Sequence, residues 1–453
     1  MNLFELLKKN AIKFPTKEAL IIDEFNLTYK DLFDKVVKTI LVLKKNNINK
    51  KSTIVIIEDN SLSHILSIFS LAYLGSKVIP LSSQYSKDWM LNKFKKIKIE
   101  ALISNAQYAK FFKKKINLKT IITTDKSIKF NYFYDYKKIK KKKLKSNFVN
   151  ANKDFLILLS SGSTGNPKPI VFTQKIKILR SKLMHNLYKI NERDRVIVTC
   201  PIDHSLGMRL LFLPLVIGGT CIVMKKFTSS NYFKMVKNHK VTFSILVSSQ
   251  IYGLLKDKTE FDKFYLKRGL VSASSTLSND AKQKIIDKKI KLYEMYGASE
   301  IGTVTSINLN KERKKIKSVG KSYNKNIKIK ILSDKNKFLK NNQKGEIVCK
   351  TPVRFKNYLG LKKITKNSFF KSFFRTGDIG YLDNKKYLYF LGRKKNIIRR
   401  SGITIYPEDI ENIFINDKNI QEVAVIGIKN ISNEDICLFV KKNKKISLDY
   451  IKE

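Results

Sequence analysis

One tryptophan, four histidines, four cysteines and eight prolines are spread over 453 residues. Each scarcity removes a class of function. Cys200, Cys221, Cys349 and Cys437 lie far apart, and none has the paired spacing of a zinc site. Three of them sit in apolar runs, where a buried free thiol is the ordinary state. The histidines are as scattered, so a histidine-rich metal centre is not expected. Long apolar runs are missing too. The longest, Leu210 to Met224, has 15 residues and is broken by Pro214, Gly218 and Gly219, too short and too interrupted to span a bilayer. The N-terminal Met1-Asn2-Leu3-Phe4-Glu5-Leu6-Leu7-Lys8-Lys9 carries an acid and an early lysine pair but no long apolar core, so it does not read as a signal peptide. The expectation is a soluble, cytoplasmic protein without a transmembrane segment.

Acidic residues are few: 37 against 91 lysines and arginines, for a formal net charge of +54. Arginine is also scarce. Only 11 of the 91 basic residues are arginine, and nucleic-acid readers depend on its bidentate fork. The lysines run through every segment beside many Asn and Ile instead of forming one stripe. The charge therefore reads as a lysine-rich surface with no specific nucleic-acid partner. Non-specific polyanion binding that weakens with salt is expected of such a surface.

What is present is ordinary globular material, 43% apolar and long enough for at least two domains. The first 150 residues alternate helical and strand patterns. Asn2 can cap a helix that stops at Pro15, and Thr53–Ile57, Val78–Leu81, Ala101–Ser104 and Thr120–Thr123 read as short buried strands. Leu62 to Leu74 reads as a helix ending at Gly75. Strands separated by helices imply a parallel α/β sheet. Residues 345–392 change character and read as successive antiparallel hairpins.

The stretch that organises the chain is Ser160-Ser161-Gly162-Ser163-Thr164-Gly165-Asn166-Pro167-Lys168-Pro169, between the apolar runs Phe155–Leu159 and Ile170–Thr173. Pro167 and Pro169 prevent a helix from starting here, giving strand, loop, strand. Two glycines let amides converge, and four hydroxyls plus Lys168 add donors, which is the chemistry of a phosphate cradle. It is not the common nucleotide loop, whose lysine opens a helix. As residues alone it could equally be a Ser/Gly surface turn. Three further strings offer chemistry. In Tyr296-Gly297-Ala298-Ser299-Glu300 a tyrosine can stack on a purine and a carboxylate can ligate Mg²⁺, although a turn after a strand ending at Met295 is the bland reading. Arg375-Thr376-Gly377-Asp378 offers two carboxylate oxygens to two neighbouring hydroxyls. Gly392 to Glu411 holds Arg393, Lys395 and Gly402 ahead of a helix starting at Pro407.

Taken in order, these motifs resemble the adenylate-forming (AMP-binding) superfamily of acyl-CoA synthetases, luciferases and peptide-synthetase adenylation domains. The resemblance covers essentially the whole chain. It implies an α/β fold: a large N-terminal domain, 1–391, of parallel-rich sheets with helices plus a small β-barrel-like part, then a small α+β domain, 392–453. It implies a carboxylic acid–thiol ligase of the acyl-CoA synthetase type, using ATP, Mg²⁺ and CoA and passing through an acyl-adenylate and AMP. Ser161, Gly162, Ser163, Thr164, Gly165 and Lys168 would hold phosphates. Tyr296, Gly297 and Ser299 would meet adenine and phosphate, Glu300 the magnesium, and Asp378 and Arg393 the ribose. Lys395 matches the hinge and Gly402 the thiol approach. The Pro-x-x-His-x-x-Gly stretch at Pro201–Gly207 looks like that of fatty or aryl acid activators, with His204 bordering the acid. Lys168, Glu300 and His204 are the expected catalytic set. A fatty or other apolar acid is expected, although Asp203 stands near the position that binds ammonium in amino-acid-activating relatives. An acyl carrier protein as acceptor, and a nucleotide-binding member without catalysis, are the alternatives.

Departures are visible as well. Pro169 stands where the family has glycine, and Ser274 where a glycine often stands. Family members continue for several dozen residues to a glycine-lysine turn whose lysine bridges carboxylate and α-phosphate. No residue here matches that lysine, and a shortened C-terminal domain is the expectation.

Overall fold

The computed structural model describes residues 1–453 except 96, 127–129, 141–143, 145–148, 160–166, 401–402, 415–419, 430–433 and 443–453. The chain forms two compact units. One comprises Met1–Leu246, Asp257–Gly269 and Val353–Thr365; the other comprises Val247–Lys256, Leu270–Pro352 and Lys366–Glu453. These units are a different partition from the division at residue 392, which is taken up below as a proposal.

The first unit holds an eight-stranded sheet. Its order is Asn357–Tyr358, Pro169–Thr173, Asp154–Leu159, Lys77–Leu81, Thr53–Ile57, Ala101–Ser104, Thr120–Thr123 and Asn131–Tyr132. From Asp154–Leu159 onward the neighbours are parallel. The apolar runs are continuous because both faces are covered: every residue of Thr53–Ile57 and of the crossover helix Leu62–Leu74 is buried. Gly75, at φ 73, ends that helix in the left-handed cap that glycine adopts freely. Pro169–Thr173 turns back antiparallel to Asp154–Leu159, which is the expected strand, loop, strand. Helices alternating with parallel strands, plus an antiparallel part, are the fold class the sequence implied.

A second sheet of this unit runs Phe243–Val247, Arg195–Val198, Thr220–Val223, Glu18–Ile22 and Phe25–Thr28. Its last two strands form a hairpin that the sequence does not announce. The turn is Asp23-Glu24, with Asp23 at φ 51 and no glycine to mark it. The apolar stretch from Leu210 divides as its breakers dictate: the helix Ser205–Ile217, Gly218 at φ 86, then the strand Thr220–Val223. Among the described residues no helix is long and apolar enough to cross a membrane.

In the second unit Gly269–Ala273 lies parallel to Leu292–Ala298, which pairs antiparallel with Gly302–Asn308. An antiparallel sheet of Lys328–Leu332, Gly345–Lys350, Phe373–Leu382, Phe369–Phe370 and Leu388–Arg393 forms the expected β part. The hairpins Ile398–Arg400/Ile403–Ile405 and Ile420–Lys429/Glu434–Lys442 follow, with the helix Pro407–Phe414 between them in sequence. Pro407 opens that helix with Glu408 and Asp409 in its first turn, as the helix dipole favours.

Candidate active site

Ser161, Gly162, Ser163, Thr164, Gly165 and Gly402 lie outside the described residues. The exit of the loop is described. Lys168 is half-buried just before the Pro169–Thr173 strand, and its ammonium lies 5.3 Å from the centre of the Tyr358 ring. Tyr358 belongs to the short strand paired beside Ile170. An ammonium over an aromatic face is attracted by the ring's negative centre.

In the same unit, His204 is the N-cap of Ser205–Ile217 and is half-exposed. Its Nδ1 lies 3.8 Å from the carboxylate of Asp203, which is only 5% exposed. Burial pushes the Asp203 carboxyl above the usual range, and the charge of His204 draws it partly back. The motif glycine has a steric reason. A Cβ on Gly207 would overlap the backbone carbonyl of Pro201, so only glycine lets the helix start this close to the loop. The loop itself is held by a residue that sequence reasoning missed. Buried Asn60 donates to the carbonyls of Met224 (2.7 Å) and Cys200 (3.3 Å) and accepts from the Ile202 amide (2.8 Å). Its only signal was a polar side chain just past the buried strand Thr53–Ile57.

The second unit carries the other strings. Leu292–Ala298 continues as strand through Tyr296, Gly297 and Ala298, so the turn expected after Met295 begins only at Ser299. Gly297 is required there, because a Cβ would overlap the carbonyl oxygen of Gly302 on the returning strand. Tyr296 is buried, and its hydroxyl donates to Asp378 Oδ2 at 2.6 Å. Arg393 Nη1 lies 2.9 Å from Asp378 Oδ1. That N–H is directed toward the Thr376 carbonyl at 3.4 Å, so the contact with Oδ1 is one of charge more than of hydrogen bonding. The register of the Phe373–Leu382 and Leu388–Arg393 hairpin sets the pair, placing Asp378 opposite Arg393. Burial raises the Asp378 carboxyl above its usual range; Arg393 and the Tyr296 hydroxyl oppose the rise, and Glu346 and then Glu300 add to it. Tyr296, Asp378, Arg393 and Glu300 are thereby one electrostatic group. Gly377, at φ 72, supplies the left-handed turn ahead of Asp378.

Ser274 follows the strand Gly269–Ala273 at φ 77, and the Ser275 amide donates to the Ala273 carbonyl at 3.1 Å. This three-residue turn of positive φ is rare and strained for a residue with a Cβ. It explains why a glycine often stands here in the resembling family. Ser274→Gly is expected to raise stability by about 1 kcal/mol, read as an upward shift in thermal midpoint. A downward shift would show that the Ser274 side chain does more than tolerate the turn.

The metal expectation can be weighed against the donors. Among the described residues no group of three or more His, Cys, Asp or Glu side chains could hold an ion. Among those residues Glu300 offers a carboxylate without a larger cluster of protein ligands around it. That fits magnesium, which commonly takes one or two carboxylates and completes its shell with phosphate oxygens.

The model of the AMP-binding enzyme family matches residues 7–359. The chain belongs to the AMP-binding enzyme family. Among relatives of this AMP-binding enzyme, the 2-succinylbenzoate–CoA ligase of Bacillus pumilus is 24% identical over 93% of this chain and 84% of its own. The indoleacetate–CoA ligase of Aromatoleum aromaticum is 23% identical over 94% of this chain and 85% of its own. Among solved structures, the o-succinylbenzoate CoA synthetase of Bacillus subtilis with an acyl-adenylate intermediate superposes with a TM-score of 0.88 at 21% identity, covering 98% of this chain and 90% of that one. The same synthetase is also solved with ATP and magnesium ion. At that identity the likeness shows the fold, that of adenylate-forming enzymes.

Proposed function

We propose that the protein is an ATP-dependent carboxylic acid–CoA ligase. A carboxylate attacks the α-phosphorus of ATP, releasing pyrophosphate and leaving an acyl-adenylate; the thiol of CoA then displaces AMP. The observation that carries the reading is the buried Asp378, flanked by Tyr296 and Arg393. Each of its carboxylate oxygens has lone pairs in two directions, so it can accept both ribose hydroxyls while keeping its present neighbours. In this reading Lys168 with Ser161, Gly162, Ser163, Thr164 and Gly165 neutralises phosphate charge. Ser299 donates to phosphate, Tyr296 and Gly297 border adenine, and His204 borders the acid. Glu300 would hold magnesium, which when bound withdraws charge from the phosphates. The chain's own part is positioning and charge neutralisation. Residues 392–453 act as a small domain that turns about Lys395 and brings Gly402 toward the thiol path. A cytoplasmic location is proposed on the demand for ATP and CoA.

The acid is proposed to be an aryl acid. The relatives named for 2-succinylbenzoate and indoleacetate support a flat aromatic carboxylic acid and lend nothing to the fatty or simple apolar acid expected from the sequence. The reason the sequence misled is chemical: the His204 motif accommodates fatty and aryl acids alike. No relative reported above is named for a carrier protein, so CoA is the acceptor. Acid-dependent ATP–pyrophosphate exchange on the full chain tests the reading. Exchange is expected with 2-succinylbenzoate or arylacetates and not with long-chain fatty acids. A folded protein that binds ATP and exchanges with none of them would be a nucleotide-binding member without catalysis.

A further inference from the structure

The residues Cys200 to His204 follow the strand Arg195–Val198 of the second sheet. Asn60 and Ser82 follow Thr53–Ile57 and Lys77–Leu81, neighbouring parallel strands of the eight-stranded sheet. All of them lie in the first unit. Each loop leaves its strand at the C-terminal end, the side on which open α/β sheets bind ligands.

Asn60 is 3% exposed, and through it the first sheet grips the second at three points. Its Nδ2 donates to the Met224 carbonyl, just past the strand Thr220–Val223, and to the Cys200 carbonyl; its Oδ1 accepts from the Ile202 amide. One residue further on, the buried Asp203 carboxylate is met by the Ser82 amide. The support beneath these contacts is itself tied together. Ser83 Oγ donates to Asp59 Oδ1 at 2.7 Å, and the Tyr108 hydroxyl donates to the Ser83 carbonyl at 2.8 Å. The His204 amide then turns back to the Pro201 carbonyl at 3.1 Å. The His204 side chain makes no capping hydrogen bond to its helix, so its imidazole is placed by this loop and by the Asp203 carboxylate 3.8 Å from Nδ1. Ile202 is 1% exposed. Without Asn60 its amide has no water to turn to, and the loop must shift to satisfy it.

We propose that Asn60 is a positioning residue for the carboxylic acid substrate. It acts through the Ile202 amide and the Cys200 carbonyl, which set where His204 stands. The eight-stranded sheet thereby fixes an acid site whose histidine the chain joins to the other sheet. The inference rests on the reading in which His204 borders the acid, and it assigns Asn60 no contact with substrate.

A double-mutant cycle in ATP–pyrophosphate exchange tests it on the full chain, with 2-succinylbenzoate and arylacetates as the acids. Asn60→Ser should lower kcat/KM for the acid by about 10- to 100-fold, the scale of an ångström of misplacement, and leave the KM for ATP unchanged. His204→Ala should impair acid use as well. Because Asn60 acts through His204, adding Asn60→Ser to His204→Ala should cost nothing more. Asn60→Asp keeps the acceptor for Ile202 and loses both donors, so it should fall between wild type and Asn60→Ser. Effects of Asn60→Ser and His204→Ala that add, or acid and ATP constants that worsen together, would make Asn60 a clamp between sheets and overturn the proposal. Failure of both Asn60 variants to fold would do the same. Absence of exchange in the wild type, or wild-type acid kinetics in His204→Ala, would instead bring down the reading on which the proposal stands.

Discussion

Lys282→Met should destabilise the second unit by about 3–5 kcal/mol, the usual cost of leaving one member of a buried ion pair alone. Lys282 and Glu294 are 2% and 3% exposed, with Nζ 3.2 Å from Oε2. The N–H of Lys282 with good direction donates to the Ile316 carbonyl at 3.0 Å, and Ser272 Oγ donates to the other Glu294 oxygen at 3.2 Å. Glu294 sits on the strand that carries Tyr296 two residues later, on the same face. Burial already raises its carboxyl above the usual range, with Lys282 as the largest opposing influence. Removing Lys282 raises it further. A group whose folded value is raised favours the fold when protonated. The penalty of the variant is therefore absent below the ordinary glutamate value of about 4.3 and grows as pH rises through the folded value. Urea unfolding followed by circular dichroism should show the loss near neutrality and its relief in acid. The double variant Lys282→Met, Glu294→Leu should recover most of it. A single variant with the wild-type midpoint would mean that the pair carries no stability.

Asp378→Asn should lower kcat/KM for ATP in pyrophosphate exchange by about 10- to 100-fold, as expected for hydrogen bonds to a charged group worth about 1.5–3 kcal/mol. Asparagine keeps the shape but offers one acceptor oxygen in place of two and no charge to Arg393. Stability should change little by comparison, because Arg393 is 47% exposed and water can take over its charge. The pH dependence separates binding from folding. Asp378 has a raised carboxyl, so the ionised form is lost as pH falls through that value. The wild-type KM for ATP should rise on acidification, while that of Asp378→Asn, having nothing to titrate there, should stay nearly flat. Wild-type kinetics in the variant would remove Asp378 from the ribose site.

Much of the fold was legible because local signals agreed with the tertiary outcome. Asn2 caps the helix that its position announces, and its side chain accepts from the amide three residues on. The buried strands read correctly because a sheet covered on both faces needs unbroken apolar runs. What failed locally did so where a turn carries no residue type that strongly marks it. The Glu18–Ile22 hairpin turns at Asp23 without glycine. The Tyr296 motif stays in a strand because Gly302–Asn308 returns to pair with it. In both cases the partner strand begins within a few residues, at Phe25 and at Gly302, and the turn between holds neither glycine nor proline to mark it.

The site divides in the same way. The motifs and the family they resemble put forward Lys168, Glu300, Asp378 and Arg393 for phosphates, magnesium and ribose. The sequence alone also sufficed for the glycines at 207 and 297, though not for their purpose. Only the tertiary structure decided that Tyr296 donates to Asp378 across 82 positions, that Asn60 clasps the loop ahead of His204, and that Lys177 and Lys282 are buried. A lysine in a run of lysines looks solvated, and burial is a property of what packs around a residue. Lys282 is matched by a carboxylate and Lys177 faces two guanidiniums, and that difference arises from strand register and helix packing, which bring together residues that the chain keeps apart.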